Sequence, residues 1–372
     1  MNKFIQITLI VAEFCNLKCR YCYEKHKNGG TMDFKRAKAI IDQEFEKLAK
    51  DGFAQIEFFG GEPFLNFDLI KNVVEYCDNT YGGRCGYNST TNGTLLTSDM
   101  KVWLAAHKDR FSLALSLDGT KEMHDANRIF AKDNSGSFDS IDKQFFLNTY
   151  KPATVKMTVA PNVIESMAEG AIQLHELGFE VDATLALGDL DWSDPKSAEC
   201  LMRQFTILVD YYKEHPEVNP IRMLRLPIEA LFDKEKETTR YCGAGKRIHC
   251  YTGNDDYWTP CQGFSRVTIE EDSKKYAFEE FEDYREPDGV CKRCKVNKLC
   301  SKCWGTNLAA TGNIDTIDKS LCVINRITML AGAKIIYNSL IDKTDLSESD
   351  QRRLKGAEMV VTEAFNNNNI YL

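Results

Sequence analysis

Six times between Ile5 and Tyr212, an apolar run of strand length gives way to a stretch with helical spacing. The first unit sets the pattern. Ile5, Ile7, Leu9 and Val11 recur at every second position, as in a strand. Behind Asp33, residues Ala37, Ile40, Ile41, Phe45 and Leu48 are spaced by threes and fours, as on one face of a helix. Further strands are expected over residues 54–59, 85–90, 111–117, 154–160 and 180–187. Helices are expected over 67–77, from 98, after 137, and over 165–177 and 195–212. Parallel neighbours need a crossover between them, so six such units in a row predict an α/β fold with a parallel sheet, closing as a partial (β/α)6 TIM-like barrel. Chemistry in such folds sits at the carboxyl ends of the strands. The unusual residues fall there: the Cys15 loop, the Gly60 loop, Asn92, Asp118 and Asn162.

Directly after the first strand, Cys15, Cys19 and Cys22 are spaced Cys-x3-Cys-x2-Cys, and no fourth cysteine follows until Cys77. Three thiolates can hold three irons of a 4Fe-4S cubane and leave the fourth iron open to an amino acid's amine and carboxylate. Zinc is the other reading, and it wants four tetrahedral ligands, usually from two Cys-x2-Cys knuckles. The chain carries 14 cysteines, and eight of them lie between Cys242 and Cys322, which implies metal or disulfide chemistry. The apolar N-terminal run is interrupted by Gln6 and Thr8 and lacks a small-residue cleavage site, so it reads as a strand and not as a signal peptide. No run is long enough to span a bilayer. A reducing cytoplasm, where clustered thiols bind metals more often than they pair, is therefore expected. The net charge of −8, with both signs interspersed, leaves no basic stripe for nucleic acid and no polybasic segment for an anionic membrane.

The cluster loop, with Tyr21 before its last cysteine, resembles that of the radical S-adenosylmethionine (radical SAM) family, and the resemblance covers about residues 4–214. Gly60-Gly61-Glu62-Pro63, after the second strand, is similar to the family's motif that contacts the methionine amine. Two glycines also suit a close backbone approach. Ser116, followed by Arg128, resembles the segment whose serine and arginine bind the methionine carboxylate and ribose, and an arginine fork suits a carboxylate. By the same resemblance Leu187 packs on adenine. Nearby His124 and Asp125 read as structural residues.

From Cys242 the helical periodicity stops. Cys250-x10-Cys261, Cys291-x2-Cys294-x5-Cys300 and Cys322 resemble the SPASM domain, an extension that binds two auxiliary 4Fe-4S clusters in peptide and protein maturases. Cys242 matches an eighth ligand that some members add. Two departures stand out: Asp256 replaces a usual glycine, and Cys303 follows Cys300 one residue early. The resemblance implies that Cys242, Cys250, Cys261 and Cys303 hold one auxiliary cluster, and Cys291, Cys294, Cys300 and Cys322 the other. Taken alone, the segment reads equally as a double zinc ribbon. Cys77, Cys85 and Cys200 are left over and read as small buried hydrophobes. The expected division is a barrel over 1–214, a bridging segment over 215–240, the SPASM domain over 241–325 and a helical tail over 326–372.

The resemblance implies an enzyme that generates a 5'-deoxyadenosyl radical, with three 4Fe-4S clusters and S-adenosylmethionine as cofactors. Its expected reaction is an oxidative thioether or carbon-carbon crosslink in a ribosomally made precursor peptide. The alternative is an anaerobic sulfatase maturase that forms formylglycine. Those maturases carry an aspartate directly after the second SPASM cysteine, where this chain has Gln262, which cannot accept a proton near neutral pH. A reading of another class is an iron-sulfur electron carrier or sensor, which would need neither the Gly60 motif nor Arg128. The expected partners are the precursor peptide and a flavodoxin- or ferredoxin-type electron donor; since only fourteen residues precede Cys15, leader recognition is expected to fall to a separate leader-binding protein or to the barrel face itself.

Overall fold

The structure is a computed structural model that describes residues 2–27, 29–186, 190, 192, 194–233, 242–277, 291, 294–300, 303–316 and 319–366. In chain order its strands and α-helices are β1 (Asn2–Ala12), α1 (Phe34–Lys47), β2 (Leu48–Gly60), α2 (Phe67–Tyr81), β3 (Cys85–Thr91), α3 (Ser98–His107), β4 (Phe111–Ser116), α4 (Lys121–Asp125), α5 (Lys143–Thr149), β5 (Thr154–Val159), α6 (Met167–Glu176), β6 (Glu180–Leu185), α7 (Pro195–Glu214), β7 (Ile248–Tyr251), α8 (Arg266–Ile269), α9 (Trp304–Thr311), α10 (Lys319–Leu340) and α11 (Glu348–Asn366).

The sheet runs β6-β5-β4-β3-β2-β1-β7. Each strand pairing from β1 to β5, and that of β1 with β7, is parallel. The six expected strands are all present. A seventh comes from the cysteine-rich segment, and it lies along β1 with Thr8 opposite Cys250.

The two faces of the sheet differ in chemistry. Ile7, Ile56, Phe58, Tyr87 and Phe111 are fully or almost fully buried. The Phe58, Tyr87 and Phe111 rings lie near-parallel in one cluster, Tyr87 donates to Asp78 of α2, and Trp103 of α3 meets Phe111 edge-on. The alternate positions carry polar groups. Thr8, Glu57 and Asn88 share one register row, with Gln6 and Gln55 in the row before. The Glu57 carboxylate accepts from Gln6, Thr8 and Asn88.

The chain divides into two compact units. The first comprises residues 1–117, 124–156 and 242–281, and the second residues 118–123, 157–241 and 282–372. In the second, Ile228, Val296, Leu299, Met329, Ala333 and Leu340 form one apolar cluster that draws on α10, and Ala357 and Val360 of α11 join it. Cys77, Cys85 and Cys200 are at most 3% exposed, in line with their reading as hydrophobes.

Within the first unit, α1 is joined to β7 by a fully buried carboxylate. Asp33 caps α1 by accepting from the Arg36 amide. One turn before the helix ends, Glu44 receives the Tyr251 hydroxyl at 2.7 Å and Lys47 Nζ at 2.8 Å, while His249 Nδ1 lies 2.9 Å from its other oxygen. Burial alone would raise this carboxyl, but the bonds from His249, Lys47 and Tyr251 overcome it and hold Glu44 down to about 2. A group whose folded value is depressed contributes its stability above its unfolded value, and loses that contribution as pH falls through the folded one. Glu44→Gln should therefore destabilise the protein by about 2–4 kcal/mol near neutrality, because it leaves buried donors mispaired. In denaturant titrations at a series of pH values, the gap to wild type should narrow as the pH drops from about 4.5 towards about 2.

Candidate active site

β1 delivers the chain into the three-cysteine loop at Ala12, and the loop is fixed mainly by backbone bonds. Lys18 donates to Ile129, Arg20 to Asn127 and Ala131 to Asn16, while Leu17, 3% exposed, anchors the loop in the core. A turn from Cys19 to Cys22 closes it at 3.1 Å. The three thiols are half-buried. Donors point at the sulfurs: the Leu17 amide (3.3 Å) and Asn92 Nδ2 (3.8 Å) at Cys15, and Lys27 Nζ (2.9 Å) at Cys22. Burial and the nearby charge of Glu62 push the Cys15 thiol up to about 12, so loading with metal must displace a firmly held proton.

Gly60-Gly61-Glu62-Pro63 packs directly on this loop. Gly61 donates to the Ala12 carbonyl and Glu62 to the Phe14 carbonyl, both at 2.9 Å. A Cβ on Gly60, whose φ is +138°, would lie 2.2 Å from the Ala12 oxygen, and one on Gly61 would lie 2.3 Å from the Phe14 oxygen. The glycines are thus required by the chain's own backbone. Glu62 is 1% exposed and accepts from the Phe64 amide, the Thr91 hydroxyl and the Asn92 amide. Burial raises its carboxyl to about 7 against these bonds and against the charge of Arg128. Asn92 passes the support on, donating to Asn16 Oδ1 at 2.9 Å as well as towards Cys15.

Arg128 is 7% exposed, and its guanidinium lies 5.5 Å from the centre of the Tyr21 ring. Its carbonyl accepts from both the amide and the hydroxyl of Ser137. Ser116 ends β4, in register with Lys156 of β5. His124 meets the Ser137 hydroxyl at 3.0 Å, and Asp125 caps the Phe138 amide, so both serve the local fold. Leu187 lies outside the described residues.

The first unit thus holds Cys15, Cys19, Cys22, Tyr21, Gly60, Gly61, Glu62, Ser116 and Arg128, together with Cys242, Cys250 and Cys261. Cys250 and Thr259 exchange both backbone bonds at 2.9 Å, and burial, then the charge of Cys261, raises the Cys250 thiol. The second unit holds Cys291, Cys294, Cys300, Cys303 and Cys322. There, the Cys294 amide donates to the Cys291 carbonyl, Asn297 to Cys294 and Cys300 to Asn297, and Asn325 donates towards the Cys300 sulfur at 3.6 Å from the same helix that carries Cys322.

Among the described residues, no three His, Cys, Asp or Glu side chains converge on a single-ion site. Three thiols on one loop, with donors aimed at the sulfurs, fit the cluster. Asn16, Thr91 and Lys27 were not singled out by the sequence, because hydrogen-bond partners of a ligand leave no spacing signal.

Residues 9–143 match the family model described as the Radical SAM superfamily. A cysteine-type anaerobic sulfatase-maturating enzyme of Clostridium novyi is 32% identical over 149 residues, which cover 37% of this chain and 38% of that protein. The sporulation killing factor maturation protein SkfB of Bacillus subtilis is 26% identical over 270 residues, 69% of this chain and 60% of that protein. Among solved structures, native anSMEcpe with bound AdoMet and the Cp18Cys peptide superposes with a TM-score of 0.69 at 17% identity, covering 95% of this chain and 99% of that one. This last likeness concerns the fold.

Proposed function

We propose that this chain is an enzyme of the radical SAM superfamily that modifies a peptide post-translationally, forming an oxidative thioether or carbon-carbon crosslink in a ribosomally made precursor. The observation that carries this reading is the joint between the cysteine loop and the Gly60 segment, which fixes three thiols beside backbone with no room for side chains. Cys15, Cys19 and Cys22 hold a 4Fe-4S cluster, and Glu62, Gly60, Gly61, Tyr21, Ser116, Arg128 and Leu187 are assigned to S-adenosylmethionine. Bound there, the cluster and its ligand supply a 5'-deoxyadenosyl radical able to take hydrogen from unactivated carbon. The chain's own share is positioning: Asn92 and the Leu17 amide orient Cys15, Glu62 ties the Gly60 segment to Asn92, and Arg128 offers a charged fork for a carboxylate. The polar sheet face around Glu57 and Asn88 suits a peptide backbone better than an apolar ligand. The eight cysteines from Cys242 to Cys322 are assigned to two auxiliary 4Fe-4S clusters that pass electrons, with a flavodoxin- or ferredoxin-type donor and a separate leader-binding protein as partners. Among the described residues no helix is long and apolar enough to cross a membrane.

The test is anaerobic. Reconstituted, reduced protein incubated with S-adenosylmethionine should release 5'-deoxyadenosine; its absence would return the chain to the electron-carrier reading. With precursor peptide, the product should be lighter by two hydrogens and retain its sulfur. A cysteine peptide that loses its sulfur and gains an aldehyde would make the sulfatase-maturase alternative correct, against the expectation from Gln262.

A further inference from the structure

We propose that Lys27 sets the reduction potential of the cluster held by the Cys15 loop, by placing a full positive charge on the Cys22 sulfur. The inference rests on the proposed cluster at that loop. Lys27 Nζ lies 2.9 Å from Cys22 Sγ, whereas the donors on Cys15 are neutral groups at 3.3 and 3.8 Å. Lys27 is half-buried, so its charge is screened less than that of a lysine in open water. Its place is fixed by its neighbour: the His26 amide donates to the Val267 carbonyl of α8 at 2.9 Å, and His26 Nδ1 lies 2.8 Å from Glu270.

Hydrogen bonds to cluster sulfurs and local charge are among the levers that set iron-sulfur potentials. One-electron reduction adds negative charge to the cluster and its thiolates. A cation on one thiolate stabilises the reduced form more than the oxidised form, so Lys27 raises the potential and eases the electron transfer that must precede cleavage of S-adenosylmethionine.

The experiment is a redox titration of the reconstituted protein, followed by electron paramagnetic resonance of the reduced cluster, with iron per chain measured on each sample. Lys27→Met should load the same iron as wild type. At a fixed potential, its reduced-to-oxidised ratio should fall roughly tenfold, a midpoint about 59 mV more negative for one electron. Lys27→Arg keeps the charge and should titrate close to wild type. A Lys27→Met midpoint that coincides with wild type at full iron content overturns the inference and leaves the superfamily reading intact. So does a Lys27→Arg protein that shifts as far as the methionine variant, or, should Lys27→Met fail to load, a Lys27→Gln protein that titrates like wild type. Wild-type protein that binds no 4Fe-4S cluster overturns both the reading and the inference.

Discussion

Gly61→Ala should lower the proposed release of 5'-deoxyadenosine by roughly a hundredfold; this is the largest effect expected of any single change outside the cysteines. The added methyl group would sit 2.3 Å from the Phe14 oxygen and 2.5 Å from its carbonyl carbon. Both are backbone atoms one residue before the first cysteine, so no side chain can turn away to make room. Either the Gly61–Ala12 and Glu62–Phe14 bonds break, or Cys15 moves. Overpacking of this kind costs about 1–3 kcal/mol, and a displacement of about 1 Å at a reacting centre is enough to lose roughly a hundredfold in rate. Iron content per chain and 5'-deoxyadenosine by liquid chromatography check the outcome. Gly83→Ala is the control, because a Cβ there meets nothing within 4 Å and should leave both measurements unchanged.

Glu62→Gln comes next. Three donors converge on a carboxylate with almost no solvent access: the Thr91 hydroxyl at 2.7 Å, the Asn92 amide at 2.8 Å and the Phe64 amide at 3.1 Å. A glutamine keeps one acceptor oxygen and turns an NH2 group against a donor that it cannot satisfy. The buried mismatch should cost about 1–3 kcal/mol of stability, read as a lowered Tm. Asn92 is the link between this carboxylate and Cys15, so S-adenosylmethionine cleavage should fall by roughly tenfold to a hundredfold while some iron is retained. A variant with wild-type cleavage would show that the Glu62–Asn92 tie does not position the first cysteine.

The six strands and the cysteine loop were legible in the sequence for different reasons. Alternation of Ile5, Ile7, Leu9 and Val11 is a period-two signal that the sheet preserves, and all four side chains are buried. The loop and Gly60-Gly61-Glu62-Pro63 are short motifs whose meaning survives without tertiary context. β7 was missed because four residues, Ile248–Tyr251, are too few for periodicity to register, and their pairing with Gln6 to Leu9 joins parts of the chain far apart in sequence. The Glu44–His249 bond, 205 residues long in sequence, escaped for the same reason. The motif suits a close backbone approach at Gly60 and Gly61, but it does not carry the detail that the nearest atoms to their missing side chains belong to the chain itself.

Because β7 lies on the open side of β1, the edge of the sheet beside the cysteine loop is covered by residues 248–251, far along the chain from the strand that they pair with. Without that pairing β1 would present one flank of bare amides and carbonyls, of the sort that invites pairing with another copy. The cysteine-rich segment therefore works as a latch for the first strand.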